Sequence, residues 1–168
     1  MEAAKFQIHN YVADIVVLDK DEKIVLLVEV KGRKLEGRDA KQKAISPLKS
    51  YLQNVRNTRV HLGQEMFAML ADLGNVDIFK WDGKKFSDSL ISLETANILS
   101  HYDPEFSKKR ILGLYLETLV EAWLRDLAYH WKSETPPATK KLAEIGLLQR
   151  LEGGTTQSQV NLDGDTLR

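Results

Sequence analysis

Two short apolar segments rich in β-branched residues most strongly constrain the fold of this chain. Residues 12–18 read VADIVVL and residues 24–30 read IVLLVEV, with the charged stretch 19–23 between them. Segments of this kind joined by a short polar connection predict a β-hairpin. Because both segments are almost continuously apolar, they predict strands that are covered on both faces and lie at the middle of a sheet.

Three charged residues interrupt this hairpin: Asp14 in the first segment, Glu29 in the second and Lys31 just after it. Side chains alternate along a strand, so Glu29 and Lys31 share one face. If the turn is centred between residues 21 and 22, Asp14 lies opposite Glu29, with Cβ atoms about 4.5–5.5 Å apart. Two carboxylates that close repel each other unless a cation lies between them. The pattern predicts a divalent metal site beside a lysine; the alternative is an ion pair of Lys31 with one acid at the strand ends.

Composition indicates which kind of metal this site would take. The 168 residues include no cysteine, which excludes disulfides, zinc ribbons and thiol nucleophiles. Carboxylate and carbonyl oxygens remain as ligands, and these suit hard cations such as Mg²⁺. No apolar stretch approaches the roughly 20 residues of a membrane span, and the first residues form no signal pattern. We therefore expect a soluble, cytoplasmic domain with no membrane partner.

The charge of the chain is zero overall but is segregated along the sequence. The 24 basic residues balance 24 acidic ones, yet residues 31–60 hold nine basic and two acidic residues. A cluster of this density is able to neutralise several phosphates of a nucleic acid, and the alternative is a solvated helix face. The basic residues of this segment are Lys31, Arg33, Lys34, Arg38, Lys41, Lys43, Lys49, Arg56 and Arg59.

Residues 38–81 predict a helix followed by a second hairpin. The segment 38–55 has apolar residues at helical spacing, with Pro47 either kinking the helix or marking a late start. The segments 66–71 and 76–81 then flank a Leu-Gly-Asn turn, which is typical of a hairpin. Strands before and after a helix indicate an α/β fold.

The second half of the chain predicts helices. From the Asp103-Pro104 opening, apolar spacing predicts one long helix over about 103–132. Its apolar surface is wide enough to pack on two sides, which favours a homodimer through this helix. A short helical extension is predicted over 136–152, and the polar, glycine-containing residues 153–168 predict a disordered tail.

The motif of Asp14, fourteen further residues and Glu29-Val30-Lys31 resembles the PD-(D/E)XK nuclease superfamily, in which an Asp on one strand precedes an E-x-K on the next. Ala13 stands where members of that superfamily often have Pro. The order of elements after the motif is also similar, and the resemblance covers roughly residues 10–85. This layout is similar to the nuclease modules of type I restriction subunits and to related small bacterial proteins.

The resemblance implies a restriction-endonuclease-like fold over residues 1–135: a central mixed β-sheet flanked by helices, with a long C-terminal helix. It implies a Mg²⁺- or Mn²⁺-dependent nuclease that hydrolyses phosphodiester bonds of DNA. Asp14, Glu29 and Lys31 would be the catalytic residues, and Asp14, Glu29 and the carbonyl of Val30 would bind the metal. The residues expected to contact the nucleic-acid backbone are Arg33, Lys34, Gln42, Lys43 and Lys49.

Two departures from the superfamily pattern leave other functions open. Members usually have a helix before the Asp strand that often contributes an acid, whereas Glu2 is the only acid among the thirteen residues before Asp14. Some members carry Gln-x-x-x-Tyr in the helix after the lysine, whereas Pro47 stands four residues before Tyr51. The alternatives are a weak or inactive nuclease-fold module that binds nucleic acid or a partner protein, and a subunit of a larger restriction or repair complex.

Overall fold

A six-stranded mixed β-sheet with helices on both faces forms the body of the protein, in a computed structural model that describes residues 11–54 and 65–162. The strands follow the order β5-β4-β3-β2-β1-β6 across the sheet. The predicted α/β fold is thereby confirmed. The elements in chain order are β1 (Val12–Leu18), β2 (Ile24–Val30), α1 (Gly37–Asn54), β3 (Met66–Ala71), β4 (Asn75–Trp81), β5 (Ile91–Glu94), α2 (Thr95–Leu99), a 3₁₀ turn (Phe106–Lys108), α3 (Gly113–Tyr129), α4 (Thr139–Glu144), α5 (Leu147–Leu151) and β6 (Thr155–Asn161).

The β1–β2 hairpin lies inside the sheet, as its apolar composition predicts. Ile15 pairs with Val28 and Val16 with Leu27, which is the register expected from a turn centred between residues 21 and 22. Strand β3 runs parallel to β2 on one side, and β6 runs antiparallel to β1 on the other. Both strands of the hairpin are therefore interior, which explains why nearly every residue in them is apolar.

Helix α1 connects the parallel strands β2 and β3 and covers one face of the sheet. Its buried residues, which include Leu48 and Leu52, pack with Leu27 and Leu70 of the two strands that it connects. Pro47 lies within the helix, so it does not mark a late helix start. The connection 31–36 places the start of α1 just beyond the end of β2, where Glu29 and Lys31 lie.

Helices α2 to α5 cover the other face. Trp123 and Leu116 of α3 are fully buried in this second core, with Ile15 and Val28 of the central hairpin. The chain itself supplies neighbours for α3 in α2, α5, β1, β2 and β6. These contacts cover the buried face of α3, whereas Leu114 and Tyr129 of the helix are exposed, and a homodimer through this helix stays a prediction. Across the described residues, the helices are too short or too polar to span a membrane.

The prediction of one long helix over about 103–132 is wrong in its bounds, because α3 begins only at Gly113. The carboxylate of Asp103 accepts a hydrogen bond from the Tyr115 hydroxyl at 2.6 Å and pairs with Lys109 at 2.8 Å. These contacts hold residues 103–109 in a turn against the start of α3. Helical spacing in a sequence does not reveal such side-chain contacts, which here replace the first helical turns.

The helix also ends before residue 132. His130 adopts a left-handed conformation with φ of 56°, and its N–H closes the last turn on Asp126. The helical extension expected over 136–152 is two short helices, because Gly146 with φ of 84° separates α4 from α5. A left-handed residue at such a position ends an α-helix and turns the chain.

The prediction of a disordered tail over 153–168 is wrong for the part that the structure describes. Residues Thr155–Asn161 form β6, which pairs with β1 along its whole length. Among residues 153–162, only Val160 and Leu162 are buried apolar residues. An edge strand that pairs through its backbone and exposes one face needs few apolar side chains, so its sequence resembles that of a disordered segment.

Candidate active site

Glu29 is a buried acid on the central strand β2, with only 6% of its surface exposed. Its Oε2 accepts a hydrogen bond from the Tyr11 hydroxyl, and its Oε1 lies 3.9 Å from Nζ of Lys31. Burial, together with the charge of Asp14, raises the pKa of Glu29 to about 7, although the Tyr11 hydrogen bond and the Lys31 charge act in the opposite direction. Glu29 therefore exchanges its proton near neutral pH.

Tyr11 belongs to the site and was not found from the sequence. It directly precedes β1, and its ring stacks on Tyr51 of α1 with the ring centres 5.2 Å apart. Burial and the neighbouring Glu29 carboxylate raise the pKa of the Tyr11 phenol, so it stays protonated and donates to Glu29. A single tyrosine before an apolar strand gives no signal for this role, because the contact depends on the docking of α1.

Asp14 lies where the backbone pairing of β1 with β2 ends. The last paired residues are Ile15 and Val28, and Oδ2 of Asp14 then accepts a hydrogen bond of 2.7 Å from the Val30 N–H. The backbone pairing stops one residue short of the Asp14–Glu29 pair that the sequence predicts, so their direct opposition stays a prediction. The half-buried carboxylate thus takes the place of a backbone acceptor at the end of the hairpin. Its charge contributes to the raised pKa of Glu29, so the two carboxyl groups repel each other.

Lys31 lies one residue beyond the end of β2. Its N–H donates to the Ala71 carbonyl at 2.9 Å, so it continues the parallel pairing with β3. Its side chain is 33% exposed and reaches to 3.9 Å from Glu29. This contact is the ion pair of Lys31 with one acid that the alternative interpretation expects near the strand end, although the acid, Glu29, is buried. The metal site therefore stays a prediction.

A close backbone contact fixes α3 against this end of β2. A Cβ atom placed on Gly32 would lie 2.7 Å from the Cα and 2.8 Å from the N of Gly113, the first residue of α3. Real Cβ atoms essentially never approach backbone so closely. The absence of a side chain at Gly32 therefore sets the distance between α3 and the residue that follows Lys31.

We expect Gly32→Ala to destabilise the protein by about 1–3 kcal/mol, the usual cost of inserting a methyl group where the backbone must move. The matched control is Gly113→Ala on the other side of the same contact, whose Cβ would lie 3.9 Å from Gly32 and is expected to cause no loss. Urea denaturation measures both. Equal stabilities for the two variants would contradict the prediction.

Two residues from later in the chain reach Asp14 from the side opposite Glu29. Nε2 of Gln159 on β6 donates to Oε1 of Glu117 on α3 at 2.8 Å and lies 3.5 Å from Oδ1 of Asp14. Burial and the Asp14 charge raise the pKa of Glu117, although the hydrogen bond from Gln159 opposes this. The sequence did not reveal Gln159 because it lies in the segment expected to be disordered.

A pocket of about 480 Å³ opens beside Lys31, between the end of β2 and the first turns of α1. Three basic residues outnumber two acidic ones in its lining. Its position at the start of α1 follows from the short β2–α1 connection. The lining residues are Lys31, Arg33, Glu36, Asp39, Ala40, Lys43 and Ala44.

The five residues predicted to contact nucleic acid do not all lie together. Arg33 and Lys43 line the pocket. Lys34 and Gln42 are exposed outside its lining. Lys49 lies further along α1, with its ammonium 5.1 Å from the centre of the Phe86 ring in the β4–β5 connection. The structure therefore brings only Arg33 and Lys43 of this set next to Lys31.

Lys41 is a described basic residue of the segment 31–60 that does not line this pocket. Lys41 forms a 3.0 Å ion pair with Asp77 of β4, which is buried. Arg56 and Arg59 lie outside the described residues. The charge of the pocket thus depends on its own lining.

Asp14 and Glu29 offer carboxylate oxygens, the kind of ligand that small, hard cations take. One oxygen of each accepts a hydrogen bond, from the Val30 N–H or the Tyr11 hydroxyl. The other oxygen lies 3.5 Å from the Gln159 amide nitrogen in Asp14 and 3.9 Å from the Lys31 ammonium in Glu29. Mg²⁺ is usually bound by one or two carboxylates and keeps several waters. No group of three or more acids, histidines or cysteines suited to a metal occurs in residues 11–54 and 65–162. Water and backbone oxygens would therefore complete the coordination.

Comparisons with protein-family models, curated proteins and solved structures find no match for this chain. Its function is therefore inferred from the site itself. Two carboxylates, a lysine and a basic pocket lie at one end of the central strands, an arrangement suited to binding a cation together with a phosphate.

Proposed function

We propose that this chain is a Mg²⁺- or Mn²⁺-dependent nuclease with a restriction-endonuclease-like fold, which hydrolyses phosphodiester bonds of DNA. The observation that carries the proposal is the grouping of Asp14, Glu29 and Lys31 at one end of two adjacent central strands. The parallel strands β2 and β3 joined by α1 add support, because the PD-(D/E)XK superfamily, which the motif resembles, has its elements in a similar order.

Asp14, Glu29 and the Val30 carbonyl would hold the metal. When bound, the metal polarises the phosphate and makes a coordinated water more acidic. The Val30 N–H and the Tyr11 hydroxyl already orient one oxygen of each carboxylate. Such supporting hydrogen bonds fix the ligands before the metal arrives, which favours binding.

Lys31 is the proposed residue for contact with the attacking water. Its ammonium offers three hydrogen-bond donors and a positive charge beside Glu29. From this position it can orient the water toward the phosphorus and stabilise the negative charge that develops on the phosphate in the transition state. Partial exposure of its side chain leaves it accessible to a substrate.

The pocket beside Lys31 is the proposed binding site for the DNA backbone. Arg33 and Lys43 in its lining supply positive charge next to the reacting phosphate, with Lys34 and Gln42 exposed nearby in sequence. Contacts of this kind set the position of the nucleic acid and read no base sequence. We therefore expect cleavage with little sequence preference.

The test is cleavage of single- and double-stranded DNA with Mg²⁺, Mn²⁺ or EDTA, combined with calorimetric titration of Mn²⁺. We expect metal-dependent cleavage and Mn²⁺ binding that is lost in Asp14→Asn. The matched control is Asp88→Asn, an exposed acid in the β4–β5 connection at the far edge of the sheet. It should bind Mn²⁺ and cleave DNA like the parent.

Cleavage that survives in Glu29→Ala or Lys31→Ala would refute the proposed site. Metal-independent DNA binding without cleavage would instead support the inactive nuclease-fold module. The basic pocket favours that second function, because its positive lining is present without a metal.

A further inference from the structure

Gln159 occupies an unusual position on β6. Its neighbours Ser158 and Val160 pair with Ile15 and Ala13 of β1, so the register places Gln159 opposite Asp14. At this point the backbone of Gln159 is left-handed, with φ of 53°. That conformation is unfavourable for residues other than glycine and is uncommon within a strand.

The side-chain amide of Gln159 lies between two carboxylates. Its Nε2 donates to Glu117 Oε1 at 2.8 Å and is 3.5 Å from Asp14 Oδ1. An amide nitrogen has two hydrogens and carries no charge, so it can face two carboxylates without adding repulsion. The Val30 N–H already holds Oδ2 of Asp14, which leaves Oδ1 as the oxygen beside Gln159.

We propose that Gln159 is a positioning residue of the nuclease site, whose amide is anchored by Glu117 and orients Oδ1 of Asp14. This inference rests on the proposed function, because it gives Gln159 a role only through Asp14. Strained backbone conformations of this kind are found where the surrounding structure requires a particular side-chain placement. Here the left-handed residue is the one directly opposite Asp14.

A purely structural role is the competing explanation, since Gln159 also joins β6 to α3. A second hydrogen bond also joins β6 to α3: the Thr156 hydroxyl donates to Oε2 of Glu121 at 2.7 Å, one turn further along the helix. Thr156 is not opposite Asp14, because it pairs with Val17. Thr156→Val therefore removes a β6–α3 contact without touching the proposed metal ligand.

The experiment is calorimetric titration of Mn²⁺ into the full chain and its Gln159→Gly and Thr156→Val variants. Glycine accepts the left-handed backbone, so Gln159→Gly removes the amide without straining the chain. We expect Gln159→Gly to weaken Mn²⁺ affinity by about 10–100-fold, the usual effect of losing a residue that orients a metal ligand. Thr156→Val is expected to bind Mn²⁺ like the parent.

A double-mutant cycle with Glu117→Ala tests the proposed anchor. If Gln159 acts through its contact with Glu117, the double variant should lose no more Mn²⁺ affinity than Gln159→Gly alone. Additive losses would overturn the anchoring by Glu117.

The outcomes separate this inference from the proposed function. If Gln159→Gly binds Mn²⁺ as tightly as the parent, the positioning role alone is overturned. The same holds if Thr156→Val loses as much Mn²⁺ affinity as Gln159→Gly. If the parent binds no Mn²⁺, or binds it no better than Asp14→Asn, the proposed function itself is overturned, and the positioning role with it.

Discussion

Lys31→Ala is expected to reduce the turnover of Mg²⁺-dependent DNA cleavage by about 10²–10³-fold, the range for loss of one donor that stabilises charge in the transition state. The ammonium lies 3.9 Å from Glu29 Oε1, so its removal leaves the proposed carboxylate ligands in place. Mn²⁺ affinity should therefore change little. Single-turnover cleavage at saturating metal measures the effect, with calorimetry as the check on binding.

The control for this variant is Lys34→Ala. Lys34 is a basic residue of the same β2–α1 connection, but it is exposed and does not line the pocket. We expect its loss to weaken DNA binding slightly and to leave turnover unchanged. Equal turnover in Lys31→Ala and Lys34→Ala would exclude Lys31 from the chemistry.

Replacement of Glu29 is expected to raise the stability of the metal-free protein at alkaline pH. The pKa of Glu29 is raised from 4.5 to about 7 in the folded chain. Between these values the folded protein keeps a proton that the unfolded chain has released, so stability is greatest below the lower pKa and falls as pH rises. The loss is about 1.4 kcal/mol for each pH unit, or roughly 3 kcal/mol in all by pH 8.

Glu29→Gln removes this dependence, because an amide does not ionise and can still accept the Tyr11 hydrogen bond. Urea denaturation in EDTA at pH 5 and pH 8 should show a variant more stable than the parent at pH 8 by roughly 3 kcal/mol and nearly equal to it at pH 5. Glu94→Gln, an exposed acid at the end of β5, is the control and should show no such difference. A parent as stable as Glu29→Gln at pH 8 would refute the raised pKa.

The parts of the site that lie close together in sequence could be predicted. Asp14, Glu29 and Lys31 belong to one hairpin, and its register follows from the turn position and the apolar pattern. A single-residue slip would turn the apolar side chains to the wrong faces, which is why such a register is strongly specified. Sequence reasoning could therefore place the acid pair and the lysine together.

Contacts between distant segments could not be predicted in this way. Gln159 reaches Asp14 across a sequence separation of 145 residues, from a strand with an exposed, polar face. The Tyr11 hydroxyl donates to Glu29 while the Tyr11 ring stacks on Tyr51 of α1. Both depend on where the edge strand and the first helix dock, and that placement leaves no periodic pattern in the sequence.

The helix boundaries show a further limit. Apolar spacing indicated helix from residue 103, but the Asp103 carboxylate binds Tyr115 and Lys109 and holds a turn instead. Propensity gives way to such specific contacts because each helical residue contributes well under about 1 kcal/mol.

The position of β6 at the outer side of β1 has a consequence for synthesis of the chain. Strand β6 is made after all the other described elements, yet it covers the backbone edge of a strand that is made first. Until residue 161 has emerged from the ribosome, the outer edge of β1 lacks its β6 partner, and such an exposed strand edge is the kind of surface to which other chains add strands. A nascent chain stalled before that point would therefore be prone to self-association, and the sheet closes on that side only once β6 has been made.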